Sequence, residues 1–157
     1  MGGEALRAEI EAFLEAHHTL SLATVDDSGE PHAANLLYVR EGLSLYWMSD
    51  TESRHSRHIE ARGRVAATVA PDYSDFRAIR GLQIFGIARR LTGGESVAAA
   101  VRMVSRYAFL ASLASGPAAL RAAYEQAGFY CLEPERITLI DNTRGFGHKE
   151  TLDLSGA

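Results

Sequence analysis

At 157 residues and 46% hydrophobic content, the chain suits one domain spanning 1–157 with a buried core, and disorder is excluded as a class. A formal charge of -4 and a pI near 5.8 argue against a nucleic-acid binder, which needs a basic excess, so local basic clusters are expected to serve a small anion. A lone cysteine, Cys131, forbids an intrachain disulfide and, with its apolar flanks, reads as a buried thiol in a reducing compartment.

The opening MGGEALRAEIEAF lacks a cationic start followed by an apolar run, so no secretory signal is read and a cytoplasmic location is expected. Leu6, Ile10, Phe13 and Leu14 recur at helical spacing and predict an amphipathic helix ending near His17-His18. Adjacent histidines on a helix point apart, so these two read as a C-terminal cap on the helix dipole rather than as metal ligands. Residues 19–25 alternate, with Leu20, Leu22 and Thr24 on one face, and predict a strand. Turn chemistry at 26–31 and a second strand over 32–40 complete a hairpin. Glu41-Gly42 makes another turn, and 43–48 is the third strand.

That strand delivers the chain into YWMSDTESRHSRHI, residues 46–59. Ser53 suits a helix N-cap, and the first-turn amides behind it would favour an anion. Arg54 and Arg57 lie three apart and, on a helix, could converge on one phosphate; His55 and His58 repeat that spacing. The alternative is a short helix with a solvated basic face.

After Gly63, read as a helix stop, RVAATVA (64–70) predicts a buried strand. Residues 71–78 form a polar loop carrying Tyr73 and Phe76. GLQIFGIARRLT (81–92) reads as a long strand in which Gly81 and Gly86 allow a bend or a close backbone approach. Thr92-Gly-Gly-Glu95 resembles a capping box for a helix over 95–107, and Pro117 opens a second helix reaching about Gln126. These helices read as an insertion between strands. Their Ala-rich sequence is broken by Arg102, Arg106, Arg121 and Gly116-Pro117, so no membrane span is expected. Residues 129–133 and 136–141 return to strand patterns on either side of Pro134, and the tail carries Phe146 between two glycines. The order predicts a mainly β protein with α elements, a small antiparallel barrel with helices at its ends.

Four motifs in order, LATVDDSGEPHAANLLYV, SDTESRH, RVAATV and RGLQIFGIARRL, resemble the FMN-binding split-barrel superfamily, whose best-known enzyme is pyridoxamine phosphate oxidase. The tail RITLIDNTRGFGHKETLDL and the Arg-His pair after the third strand resemble a bacterial branch typified by YhbP. The resemblance implies a split β-barrel, antiparallel and Greek-key-like, with an N-terminal helix and a helical insertion. It implies that Ser53-Arg54 grips the FMN phosphate; the lysine that follows in the oxidase is His55 here. Ser53, Arg54, His55 and Arg57 are therefore the expected phosphate cradle. Strand backbone around 34–37 and 47–49 would serve the isoalloxazine, which places Asn35, Leu36 and Ser49 at the site, with Gln83 adding a side-chain donor and acceptor. A homodimer with the flavin at its two-fold interface is implied, so that Asn142, Phe146, His148 and Lys149 could reach the site from the partner.

Trp47 could stack on the flavin or belong to the core, and Gly145 and Gly147 could form an anion nest or a plain turn. His55, His58 and His148 make haem the alternative cofactor. No Ser-His-Asp set, paired carboxylates, Cys-x-x-Cys or His-Glu-x-x-His stands out, so neither hydrolysis nor a metal site has support. The oxidase's C-terminal substrate segment is absent and Trp47 is the only tryptophan, so pyridoxamine phosphate oxidation is not expected. The sequence thus points to an FMN-binding, oxidoreductase-like protein acting on an unknown small redox substrate, or alternatively to a non-catalytic flavin or haem carrier or sensor.

Overall fold

The computed structural model describes residues 2–156, the side chains of 114, 115 and 120 aside. Helix α1 (Gly2–Ala16) precedes β1 (Thr19–Val25), β2 (Pro31–Leu37), β3 (Val39–Glu41) and β4 (Ser44–Asp50). Helix α2 (Arg54–Ala61), β5 (Arg64–Val69) and β6 (Arg80–Arg90) follow. An insertion of α3 (Gly93–Arg106), a 3-10 stretch (Ala108–Ser115) and α4 (Ala118–Gln126) leads to β7 (Ala127–Asp141) and β8 (Lys149–Asp153).

The strands form one antiparallel sheet in the order β2-β1-β5-β6-β7-β4-β3, with β8 also on β7. β2 and β3 lie at opposite ends of that order, yet Tyr38 alone separates them in the chain. The sheet must therefore curl until its edges meet, which makes a barrel. The sequence over 32–40 predicts one strand, and the structure breaks it at Tyr38. That side chain is fully buried, donates its hydroxyl to Leu14 O at 2.7 Å, and its amide donates to His18 O at 2.9 Å. These bonds draw the backbone inward at the corner.

β7 is continuous through Pro134, where the sequence reading expected two strands. One edge of β7 pairs with β6 along its length; the other pairs with β4 over 127–132 and with β8 over 136–140. Pro134 sits where the partner changes, so its missing N–H costs the ladder little. Glu135 is skipped in the register with β6, a bulge facing Gly86. A Cβ on Gly86 would strike Glu133 O and lie 2.8 Å from Pro134 Cα, so the expected close approach is real. Gly63 is also a contact glycine rather than a helix stop: α2 ends at an extended Arg62, and a Cβ on Gly63 would lie 2.8 Å from Ala88 O.

Leu6, Ile10, Phe13 and Leu14 of α1 close the barrel core together with Leu20, Leu22, Leu45, Trp47, Ile84, Tyr130 and Leu139. His17 Nδ1 lies 2.6 Å from Phe13 O, the cap role expected of it. Trp47 is fully buried and stacked on Tyr130 at 6.2 Å, which makes it core. α3, with Ala99 and Met103, and the Tyr107 that follows it cover the outside of β3, β4 and β7. Thr92 caps α3 without a side-chain hydrogen bond, and Glu95 pairs with Arg89 instead, so the capping box does not form. The outer face of β1, β2 and β5 has no helix over it, and alternate residues there are exposed. Among the described residues, no helix is long and apolar enough to cross a membrane.

Candidate functional site

The start of α2 is built as the sequence implied. Ser53 is extended at φ -61°, ψ 154°, and its Oγ accepts the Ser56 amide at 3.3 Å. The first internal helix bond is Arg57 N to Ser53 O, so the Arg54 and His55 amides precede the ladder and point out of the helix end. His55 turns inward: its Nε2 lies 2.9 Å from Ser49 Oγ and 3.2 Å from Ser53 Oγ. Burial, then the nearby His32 and His58, pushes the His55 pKa down. His55 is thus a neutral post that fixes the cap serine, and it does not replace the oxidase lysine as a charge.

Arg54 faces outward into a cavity of about 210 Å³ lined by Asp26, Glu30, Pro31, His32 and His58 as well. His32 stacks parallel to His55 at 6.1 Å and meets His58 edge-on at 5.9 Å. His58 Nδ1 lies 2.8 Å from the hydroxyl of Thr24, itself 4% exposed. Asp26 is held by its own turn: its Oδ1 accepts the Ser28 hydroxyl and the Ser28 and Glu30 amides. These bonds lower its pKa, with the Ser28 hydroxyl the largest cause.

Arg57 does not converge with Arg54. It pairs with Glu52 at 2.7 Å and lines a separate depression with Glu60 and Arg90. Helical phase explains this: residue i+4 falls about 40° from i, whereas i+3 falls about 60° to the other side. The partner Arg54 finds across the pocket is His58, not Arg57. His32 and the Thr24 contact were missed because they depend on the β1–β2 register, which pairs Thr24 with His32; the Arg54–His58 spacing was the legible signal.

Two further depressions follow the pocket along the outside of β1. One of about 230 Å³ is floored by Ala23, Val25, Ala66 and Phe85 and shares Pro31 with the first. The next, of about 370 Å³, is lined by Ser21, Asn35, Thr68 and Asp72. Asn35 and Gln83 belong to one transverse row of the sheet, Asn35–Ser21–Thr68–Gln83, with Asn35 Oδ1 accepting the Ser21 hydroxyl at 2.6 Å. Leu36 points the other way and packs on the core.

The tail residues form their own cluster. Asn142 Nδ2 donates to Phe76 O at 2.7 Å, and its Oδ1 accepts the Gly147 amide at 3.0 Å. Phe146 is 83% exposed and meets Phe76 edge-on, while His148 Nε2 lies 3.3 Å from Glu150. The Gly145 amide bonds Asn142 O and the Gly147 amide bonds the Asn142 side chain, so the glycines make a turn rather than an open anion nest. Lys149 opens β8, exposed beside this cluster. Within one chain these tail groups bond to one another and to the 76–79 segment, not to α2. Among the described residues, no group of three His, Cys, Asp or Glu side chains is arranged to hold a metal ion.

A family profile described as pyridoxamine 5′-phosphate oxidase matches residues 6–142. A UPF0306 protein of Klebsiella pneumoniae is 31% identical over 90% of this chain and 89% of its own. The UPF0306 protein YhbP of Salmonella schwarzengrund is 32% identical over 89% and 88%. Among solved structures, a haem-binding protein of Mycobacterium smegmatis superposes with a TM-score of 0.73 at 20% identity, over 91% of this chain and 55% of that one. The likeness to that structure is one of fold: a half-barrel of antiparallel strands with helices, the split-barrel architecture. A profile match across most of the chain, together with curated relatives aligned nearly end to end, shows that the protein belongs to the pyridoxamine 5′-phosphate oxidase family, in its UPF0306 branch.

Proposed function

We propose that the chain binds FMN as a homodimer and serves flavin-dependent redox chemistry. The observation that carries this is the continuity of the trough. The pocket that holds the Arg54 guanidinium with His32 and His58 shares Pro31 with an uncovered depression floored by small residues, Ala23 and Ala66. A phosphate end fits the first, where a guanidinium can give two parallel bonds. A planar ring fits the second, because alanine side chains let it approach the sheet. Asn35 and Gln83, one row further on, offer amide donors and acceptors to the ring edge. FMN, when bound, would supply electron and hydride transfer; the chain's own residues bind it, orient it and shield it from water.

A floor open to solvent on one side needs a cover, and a second copy related by a two-fold axis is the cover proposed. Phe76 and Phe146 are exposed and in ring contact with each other, and in such a dimer the partner's tail would reach across with Asn142, Phe146, His148 and Lys149. Haem is the second reading, favoured by the name of the mycobacterial neighbour. The purified protein, reconstituted with FMN and separately with haem, is expected to retain FMN, with flavin absorption bands and quenched fluorescence. Light scattering is expected to give a dimer. A Soret band with no flavin uptake would replace FMN by haem, and a protein that retains neither would overturn the cofactor reading. Oxidation of reduced nicotinamide by the FMN form would separate an enzyme from a carrier.

A further inference from the structure

The pocket at Arg54 has a charge problem that its histidines can solve. With His32 and His58 neutral, one guanidinium faces the carboxylates of Asp26 and Glu30, a net charge of -1 on the lining residues. A dianionic phosphate would be repelled from such a site. With both imidazoles protonated, the same wall carries +1. Around the pocket, Arg64 lies over the Phe85 ring in the adjoining depression that shares Pro31. Arg62 is taken by Asp27, Arg57 by Glu52, and Arg90 faces Glu60 on the far side of α2. His55 is buried between two serine hydroxyls and stays neutral. That leaves His32, half-buried on β2, and His58, half-buried on α2, as the groups on the wall able to change charge near neutral pH.

We infer that His32 and His58 are anion ligands of this pocket, and that a dianionic phosphomonoester binds there together with protons taken up by these two imidazoles. The inference rests on the FMN reading above and assigns it two further ligands and a pH dependence. Thr24 holds His58 by its Nδ1, which leaves Nε2 free to donate. The nearly parallel stacking of His32 on neutral His55, with an interplanar angle of 5°, keeps the His32 ring from swinging away. Asp26, locked by its turn, shares the pocket wall with His58. Two imidazoliums and the Arg54 guanidinium then surround one phosphate.

The test is titration of the full-length protein with FMN and with riboflavin from pH 7 to 9, where a phosphomonoester is already a dianion because its second pKa is about 6. FMN affinity is expected to fall by roughly tenfold or more across that range, while riboflavin affinity stays within about twofold. Calorimetry in buffers of different ionisation enthalpy is expected to show proton uptake with FMN and none with riboflavin. His32→Gln and His58→Gln should each flatten the FMN profile and still bind riboflavin, which shows that the variants fold; glutamine at 58 can still hydrogen-bond Thr24. FMN binding with a pH-independent affinity, or an equal pH slope for both flavins, overturns the proton-coupled pocket and leaves FMN binding standing. Absence of FMN binding at every pH overturns both.

Discussion

Removing the Arg54 guanidinium should weaken FMN binding without weakening the fold. Arg54 is exposed, and no ion pair or hydrogen bond ties its side chain among the described residues, so its loss strands no protein partner. Each hydrogen bond to a charged group contributes about 1.5–3 kcal/mol, and a forked guanidinium makes two. Arg57 cannot compensate, because Glu52 holds it over a different depression. His32 and His58 remain on the wall and offset part of the loss. We expect a net cost of about 2–3 kcal/mol, a rise in Kd of roughly 30- to 150-fold, from Arg54→Ala. Arg54→Lys should recover only part of this, since a point charge does not copy the fork. Fluorescence titration with FMN, with riboflavin as the phosphate-free control, reads the effect directly. Riboflavin affinity and thermal midpoint should not move, and Arg57→Ala should leave FMN affinity within about twofold. An Arg54→Ala variant that holds FMN as tightly as wild type, or an Arg57→Ala variant that loses it equally, would refute the assignment of the phosphate to the His32–His58 side of α2.

Gly86→Ala should destabilise the protein by about 1–3 kcal/mol in urea unfolding, because both atoms its Cβ would meet, Glu133 O and Pro134 Cα, are backbone and cannot rotate away. Gly94→Ala, in the first turn of α3 with open space around it, should instead stabilise by about 0.5–1 kcal/mol. Burial opposes ionisation of Asp141, but hydrogen bonds from Thr143 and from Arg80 outweigh it and hold its carboxyl below the ordinary 3.8. A depressed carboxyl stabilises the folded state above its unfolded pKa and loses that contribution as pH falls through the folded value. The difference in thermal midpoint between wild type and Asp141→Asn should therefore be full at pH 6 and close below about pH 4. Burial, followed by the Glu133 carboxylate, pushes the Cys131 thiol up to about 12. A thiol-exchange reagent at pH 8 should leave it unmodified until denaturant is added, and rapid labelling of the native protein would contradict its burial.

Much of the fold was legible because local chemistry and hydrophobic period agree along the chain. Residues 19–25 alternate, and only one face of them, Leu20, Leu22 and Thr24, is buried. Leu6, Ile10, Phe13 and Leu14 form one stripe, and that stripe is the buried one. Ser53 caps α2 because a serine before a helix satisfies an otherwise orphaned amide, a property of four consecutive residues. What escaped a one-dimensional reading was set by partners far away in sequence. Tyr38 breaks a run that looks like one strand because Leu14 O and His18 O draw it inward. Pro134 fails to break β7 because the strand's outer edge changes partner from β4 to β8 at that point.

The site divides the same way. The cap serine and Arg54 were readable from spacing alone, and so was a basic face on α2. Only the folded chain could decide that Arg57 belongs to Glu52, that His55 is buried and neutral, and that Arg54 looks across at His58 and at His32 from another strand. Charge type is written in the sequence, because it depends on the side chain. Charge state and direction are not, because they depend on burial and on strand register, which the folded chain sets by bringing Thr24 and His32 of the β1–β2 hairpin against α2.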